Sequence, residues 1–238
     1  MDVILIPGFW LRGDSWGGIA PALRDAGHTV HTPTLPGLES TEADRSEVTL
    51  RTHIDAVIAL VDGIEGPVAL VGHSGGGVIA YAVTDARPER VSRVVYVDSG
   101  PLGEGDSIND QLPSDGADIP LPDWSLFDDR ELVGLTDELR AEFRARAVPQ
   151  PARVAMDPLE LSGGDAHRDI RSVVISCTFP AEQFRALIDQ GHPYTAELAT
   201  LRNYDLVELP TGHWPQFTRP VELAERIVAA LGQDSSRA

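Results

Sequence analysis

The chain contains no lysine, and its 19 basic residues are all arginines set against 37 acidic ones. The formal net charge is −18. Acids scattered at this density make a solvated surface and argue against nucleic acid or anionic lipid as partners. A single cysteine, Cys177, excludes an internal disulfide and with it the small stapled secreted domains. No run approaches the roughly 18 apolar residues that span a bilayer. Met1 to Pro7 lacks the basic start and apolar stretch of a signal peptide, so cytoplasmic residence is expected. There is no Gly-Lys-Ser/Thr ending, no G-x-G-x-x-G and no H-E-x-x-H. A phosphate loop, a dinucleotide fold and a zinc-protease helix are therefore not expected, and neither is any metal or organic cofactor. Repeats and low-complexity tracts are also missing.

What is present suits one α/β domain of 238 residues with 42% hydrophobic residues. Short apolar runs at Val3–Ile6, Thr29–Thr32, Pro67–Val71, Val94–Val97, Val173–Ile175 and Asp205–Leu209 read as strands. Trp16–Ala26, Val48–Val61, Gly76–Ala86 and Val221–Leu231 read as helices between and after them. This alternation predicts a mostly parallel sheet with helices on both faces. Residues 101–168 break the rhythm. They are rich in Asp, Pro and Gly, with one helix expected over Thr136–Ala147. They are read as a small cap inserted into a core of residues 1–100 and 169–238. The polar tail after Gly232 is expected to be frayed.

The chemistry is carried first by Val68-Ala69-Leu70-Val71-Gly72-His73-Ser74-Gly75-Gly76. This is G-x-S-x-G between an apolar strand and a helix. The turn is so sharp that side chains two residues either side of Ser74 would collide, so Gly72 and Gly76 are required. Ser74 then projects at the carboxyl edge of the sheet as a candidate nucleophile. The N–H of Gly75, at the helix start, is placed to hold a developing oxyanion.

With two further motifs the chain resembles the α/β-hydrolase family, in particular its small esterase, lactonase and hydroxynitrile-lyase-like members. Ile6-Pro7-Gly8-Phe9-Trp10 resembles the family's His-Gly-x oxyanion segment, with Pro7 where His is commoner. The resemblance implies that Phe9 offers the second oxyanion N–H. Phe9, Trp10 and Trp16 either wall a pocket or belong to the core. Leu209-Pro210-Thr211-Gly212-His213-Trp214 resembles the family's Gly-His turn after the last strand and implies His213 as general base. His73 lies inside the elbow, where relatives often carry His without a catalytic duty.

The acid departs from the family pattern. Relatives carry it in a Cys-Thr-x-Asp-like turn, but here Cys177-Thr178-Phe179-Pro180 has proline at that place. Two carboxylates compete. Asp98 ends the strand after the nucleophile's helix, 24 residues beyond Ser74, a site some relatives use. Glu182 lies two residues past Pro180. Asp98 is the choice adopted, with Glu182 the alternative; Asp189 and Asp205 are less well placed.

The expected activity is hydrolysis of a small, fairly apolar carboxylic ester or lactone through an acyl-enzyme. Two other classes remain. One is a hydroxynitrile-lyase-like enzyme, disfavoured because such members often need a lysine or threonine near the site and the chain has no lysine. The other is a ligand-binding module with a weak triad. Trp124, Phe127, Leu132, Leu135 and Phe143 either roof the substrate or form the packing face of the cap helix. Oligomeric state is not legible.

Overall fold

The computed structural model describes residues 1–232, so the expected frayed tail lies outside the described residues. β1 (Asp2–Ile6) leads through α1 (Ala20–Asp25) to β2 (Thr29–His31). α2 (Leu50–Gly63), β3 (Val68–His73), α3 (Gly75–Ala86) and β4 (Val91–Val97) follow. Next come β5 (Asp118–Ile119), α4 (Asp137–Arg146), β6 (Gln150–Pro151) and α5 (Ala152–Met156). The chain continues through β7 (Arg171–Ser176), α6 (Ala181–Asp189), β8 (Tyr204–Glu208), α7 (Pro215–Thr218) and α8 (Pro220–Gly232).

Six strands form one sheet in the order β2-β1-β3-β4-β7-β8, with every pairing parallel. β1 is followed by β2 on one side, and β3 then pairs on its other side. The strand order thus reverses between β1 and β3, and a crevice opens beyond their carboxyl ends. Gly8-Phe9 and Ser74 sit at those two ends.

The sheet's alternation divides its side chains between two layers. Val3 and Leu5 pack with Leu23 of α1 and with Leu223 and Ile227 of α8. Ile4 and Ile6 face the other way, with Ile54 and Val57 of α2 and Ile79 and Val83 of α3. Burial on both faces is why the strands read as continuous apolar runs.

The expected helix over Trp16–Ala26 is shorter than its pattern. Gly13–Trp16 forms a 3₁₀ turn, and α1 starts only after the Gly17-Gly18 pair. Pro21 occupies the first turn of α1, where a missing N–H loses no helical bond. Trp16 is fully buried in the α1/α8 layer and does not wall a pocket.

Residues 101–168 hold the antiparallel pair β5–β6, with α4 between the two strands and α5 after them. Thr136 caps α4 by accepting the Leu139 N–H at 3.4 Å. Ile119, Phe143, Val148, Val154 and Leu159 join the same apolar cluster as Ile4 and Ile6. This segment therefore shares the core of the sheet. Among the described residues no helix is long and apolar enough to cross a membrane.

Candidate active site

The elbow at the end of β3 is built by close contact. A Cβ on Gly72 would lie 2.3 Å from the Gly76 carbonyl oxygen, and one on Gly76 would lie 2.6 Å from those of Ile6 and Pro7. Ser74 caps α3 with φ 52° and ψ −128°. Only two other described non-glycine residues have positive φ, Trp10 at 63° and Asp98 at 43°. All three sit at carboxyl ends of adjacent strands or just beyond them. Such left-handed backbone at non-glycine residues is held by its surroundings. The Ser74 N–H donates to Val97 at 3.2 Å, and its carbonyl accepts the Ser99 hydroxyl at 2.6 Å. The Asp98 N–H donates to Ile175 at 2.8 Å.

His213 lies in the turn between β8 and α7. Its Nε2 is 2.9 Å from Ser74 Oγ, and its Nδ1 is 2.6 Å from Asp98 Oδ2. With the proton on Nδ1 donated to Asp98, Nε2 is left to accept the Ser74 hydroxyl. Three more donors hold Asp98. The N–H groups of Cys177 and Thr178 donate to Oδ1 at 2.8 and 3.0 Å, and the Thr178 hydroxyl donates to Oδ2. The turn that carries Pro180 thus contributes donors to Asp98. Glu182, the alternative, is exposed in the first turn of α6 and is not brought to His213.

The electrostatics follow from these contacts. Burial pushes the Asp98 carboxyl up, but the His213 and Thr178 bonds and the imidazole's charge outweigh it and hold it at about 2. Burial pulls His213 down, yet the hydrogen bond and charge of Asp98, with a smaller contribution from Glu131, leave it above its ordinary value. His73 is fully buried. Its Nε2–H donates to the His213 carbonyl at 2.6 Å, and burial lowers its pKa to about 3. It therefore acts as a neutral clamp on the turn that carries His213. A second clamp comes from residues 101–168: the His213 N–H donates to the Glu131 carbonyl at 2.8 Å and the Gly212 N–H to that of Val133 at 2.9 Å.

The N–H of Gly75, the first residue of α3, has no intrahelical acceptor. Phe9 lies against it, since a Cβ on Gly75 would sit 2.6 Å from the Phe9 ring. A Cβ on Gly8 would lie 3.0 Å from Ser74 Cβ, which brings the Gly8-Phe9 peptide beside the serine. Trp10 ties this edge to residues 101–168. Its indole N–H donates to Ile119 at 3.0 Å, and its carbonyl accepts the Val148 N–H at 3.0 Å.

Ser74, His213 and Asp98 open onto a cavity of about 610 Å³. Phe9, Trp10, Leu126 and Phe127 are among its walls. Of the five apolar residues considered for a roof, only Phe127 lines it. Phe143 is fully buried and packs edge-on to Trp124 and Trp214. A second wall comes from Phe184, Tyr194 and Glu197, in a stretch for which the sequence offered no signal beyond the amphipathic pattern of α6.

Comparison with known proteins agrees with this architecture. The family model described as "Alpha/beta hydrolase family" matches residues 3–226, and the chain belongs to that family. It is similar to a carbendazim-hydrolysing esterase of Nocardioides, at 30% identity over 97% of this chain and 99% of the relative. It is 26% identical to the lipase LipV of Mycobacterium tuberculosis over 77% of this chain and 76% of that one. Among solved structures it is similar to an extracellular alpha/beta-hydrolase of a Paenibacillus species. The TM-score is 0.77 at 25% identity, covering 98% of this chain and 100% of the other. A pyrethroid hydrolase of Sphingobium faniae shares the fold, with TM-score 0.70 at 22% identity and 98% of each chain covered.

Proposed function

We propose that the chain is a serine hydrolase that cleaves a carboxylic ester or a lactone. The observation that carries this is the continuous Ser74–His213–Asp98 hydrogen-bonded chain opening onto the cavity. The relatives named as esterase and lipase support the same chemistry.

His213 Nε2 takes the Ser74 hydroxyl proton as Oγ bonds to the carbonyl carbon. The carbonyl π pair moves to oxygen, and the N–H groups of Phe9 and Gly75 hold that oxyanion. Collapse expels the alkoxide, which takes the proton from Nε2; a lactone's alkoxide stays tethered. Water then repeats the sequence on the acyl-Ser74 ester and frees the acid. Asp98 fixes the tautomer and stabilises the imidazolium. Residues 101–168 serve as a cap over the site. The apolar walls favour a small, fairly apolar substrate. The free, buried Cys177 suits a cytoplasmic setting.

The test is turnover of short-chain p-nitrophenyl esters and labelling by a fluorophosphonate. The expected result is wild-type turnover, a one-to-one adduct on the Ser74 peptide, and loss of both in Ser74→Ala. A folded wild type that neither turns over nor labels overturns the reading.

A further inference from the structure

Behind the cavity wall runs a hydrogen-bonded chain that the acyl-transfer chemistry does not use. Tyr81 of α3 is 1% exposed, and its hydroxyl donates to Glu197 Oε1. The Tyr81 hydroxyl oxygen also lies 2.8 Å from His167 Nε2. The far ring nitrogen of His167 lies 3.1 Å from Asp85, whose carboxylate accepts both the N–H and the hydroxyl of Ser162. Burial, aided by Glu197, raises the Tyr81 phenol well above its ordinary range and keeps it a donor. The Thr200 hydroxyl donates to the Glu197 backbone carbonyl at 2.8 Å, and Glu197 Oε1 lies 3.6 Å from the Arg168 guanidinium.

The Glu197 side chain is only 16% exposed, yet it lines the same cavity as Ser74. Its Oε1 is held by the Tyr81 hydroxyl. A Cβ on Gly103, also a cavity residue, would stand 3.8 Å from its Oε2 and 3.1 Å from Asp106 Oδ2. A half-buried carboxylate in a cavity wall, anchored through one oxygen, is a preorganised acceptor. No arginine lines this cavity among the described residues, so a substrate carboxylate would find no ion-pair partner there.

We propose that Glu197 is the specificity-determining residue of the cavity and accepts a hydrogen bond from an N–H donor on the substrate, remote from the scissile carbonyl. Tyr81 and His167 are positioning residues for it. The preferred substrates are esters bearing an amide, carbamate or amine N–H, above alkyl esters of equal size. The inference rests on the ester-hydrolase reading of Ser74.

The test is a ladder of N-acetyl-ω-amino acid p-nitrophenyl esters, from glycine to 6-aminohexanoate, each paired with an alkanoate ester of matching length. The readout is the ratio of kcat/KM within a pair, compared between wild type and variants. One rung of the ladder is expected to favour the amide about tenfold or more in wild type. Glu197→Gln, which turns an NH₂ where the carboxylate oxygen stood, brings that ratio towards one. Tyr81→Phe lowers it through KM, and serves alone if the glutamine variant does not fold. Equal ratios in wild type and both folded variants, with Ser74-dependent turnover intact, overturn this inference and leave the hydrolase reading standing. Absence of Ser74-dependent turnover of any ester removes both.

Discussion

Asp98 Oδ2 and His213 Nδ1 stand 2.6 Å apart, although 115 residues separate them in the chain. Asp98 closes β4 in a left-handed backbone conformation, and the neighbouring end of β7 supplies the Cys177 and Thr178 N–H donors that fix its carboxylate. The ion thus meets its imidazole already oriented.

Asp98→Asn is expected to lower kcat by about a thousandfold or more, because an amide no longer fixes the tautomer or balances the imidazolium. Glu182→Gln, exposed on α6, should stay within about twofold of wild type. A p-nitrophenyl ester assay on the two variants decides between them. Activity retained in Asp98→Asn and lost in Glu182→Gln would reverse the assignment.

Activity should rise with pH, since His213 must be neutral to accept the Ser74 proton. Asp98 holds the imidazole above its ordinary value of 6.5, so the rising limb of kcat/KM is expected above pH 6.5. In Asp98→Asn the same ring should titrate at lower pH. Following the His213 ring signals by NMR across pH in both proteins checks this; an unmoved titration refutes it.

Stability should fall on the acid side for a separate reason. His53 is 1% exposed, donates Nε2–H to Pro36 at 2.8 Å, and is lowered by burial to about 4. A histidine depressed in the folded state gives the unfolded chain more bound protons below its unfolded value. Stability is therefore lost as pH falls from 6.5 towards 4, by about 2–4 kcal/mol for this one group. Denaturant unfolding of wild type and His53→Gln at the two pH values should show a smaller loss in the variant. Parallel losses would mean that another group carries the effect.

Gly72→Ala should destabilise the fold by about 1–3 kcal/mol or prevent it, because the new methyl meets backbone that cannot swing aside. The clash partner is the Gly76 carbonyl at 2.3 Å. Gly63→Ala, where a Cβ meets nothing within 4 Å, is the matched control and should be near neutral. Chemical denaturation compares the pair.

His73→Phe should cost about 1–3 kcal/mol by leaving the buried His213 carbonyl without its donor. Its kcat should fall more than its KM changes, since the loss falls on the turn that aims the imidazole. A pure stability loss with unchanged kcat would assign His73 to packing alone.

Several of these features are legible in the sequence because their causes are local. Gly72 faces the Gly76 backbone four residues on, so that side of the elbow is set by local sterics, whereas Gly76 faces the Ile6 and Pro7 carbonyls of the neighbouring strand end. The apolar runs of β1, β3 and β4 reflect burial on both faces, so they survive as plain composition. Thr136 signals the start of α4 through a bond to Leu139, three residues on. Trp16 stayed open between pocket and core because an apolar residue carries no mark of which layer buries it, and the helix expected over Trp16–Ala26 is cut short by the Gly17-Gly18 pair.

The sequence by itself determined the alternating α/β order, the elbow that exposes Ser74 and the short list of partners containing His213 and Asp98. Only the tertiary structure set Asp98 rather than Glu182 against His213, since that choice depends on β4 lying beside β7 in the sheet. It alone brought Glu197 to the cavity wall and joined it to Tyr81, 116 residues away. Local sterics and burial leave their trace in neighbouring residues. A contact between strand ends is set by sheet order and register, which no short stretch of chain encodes.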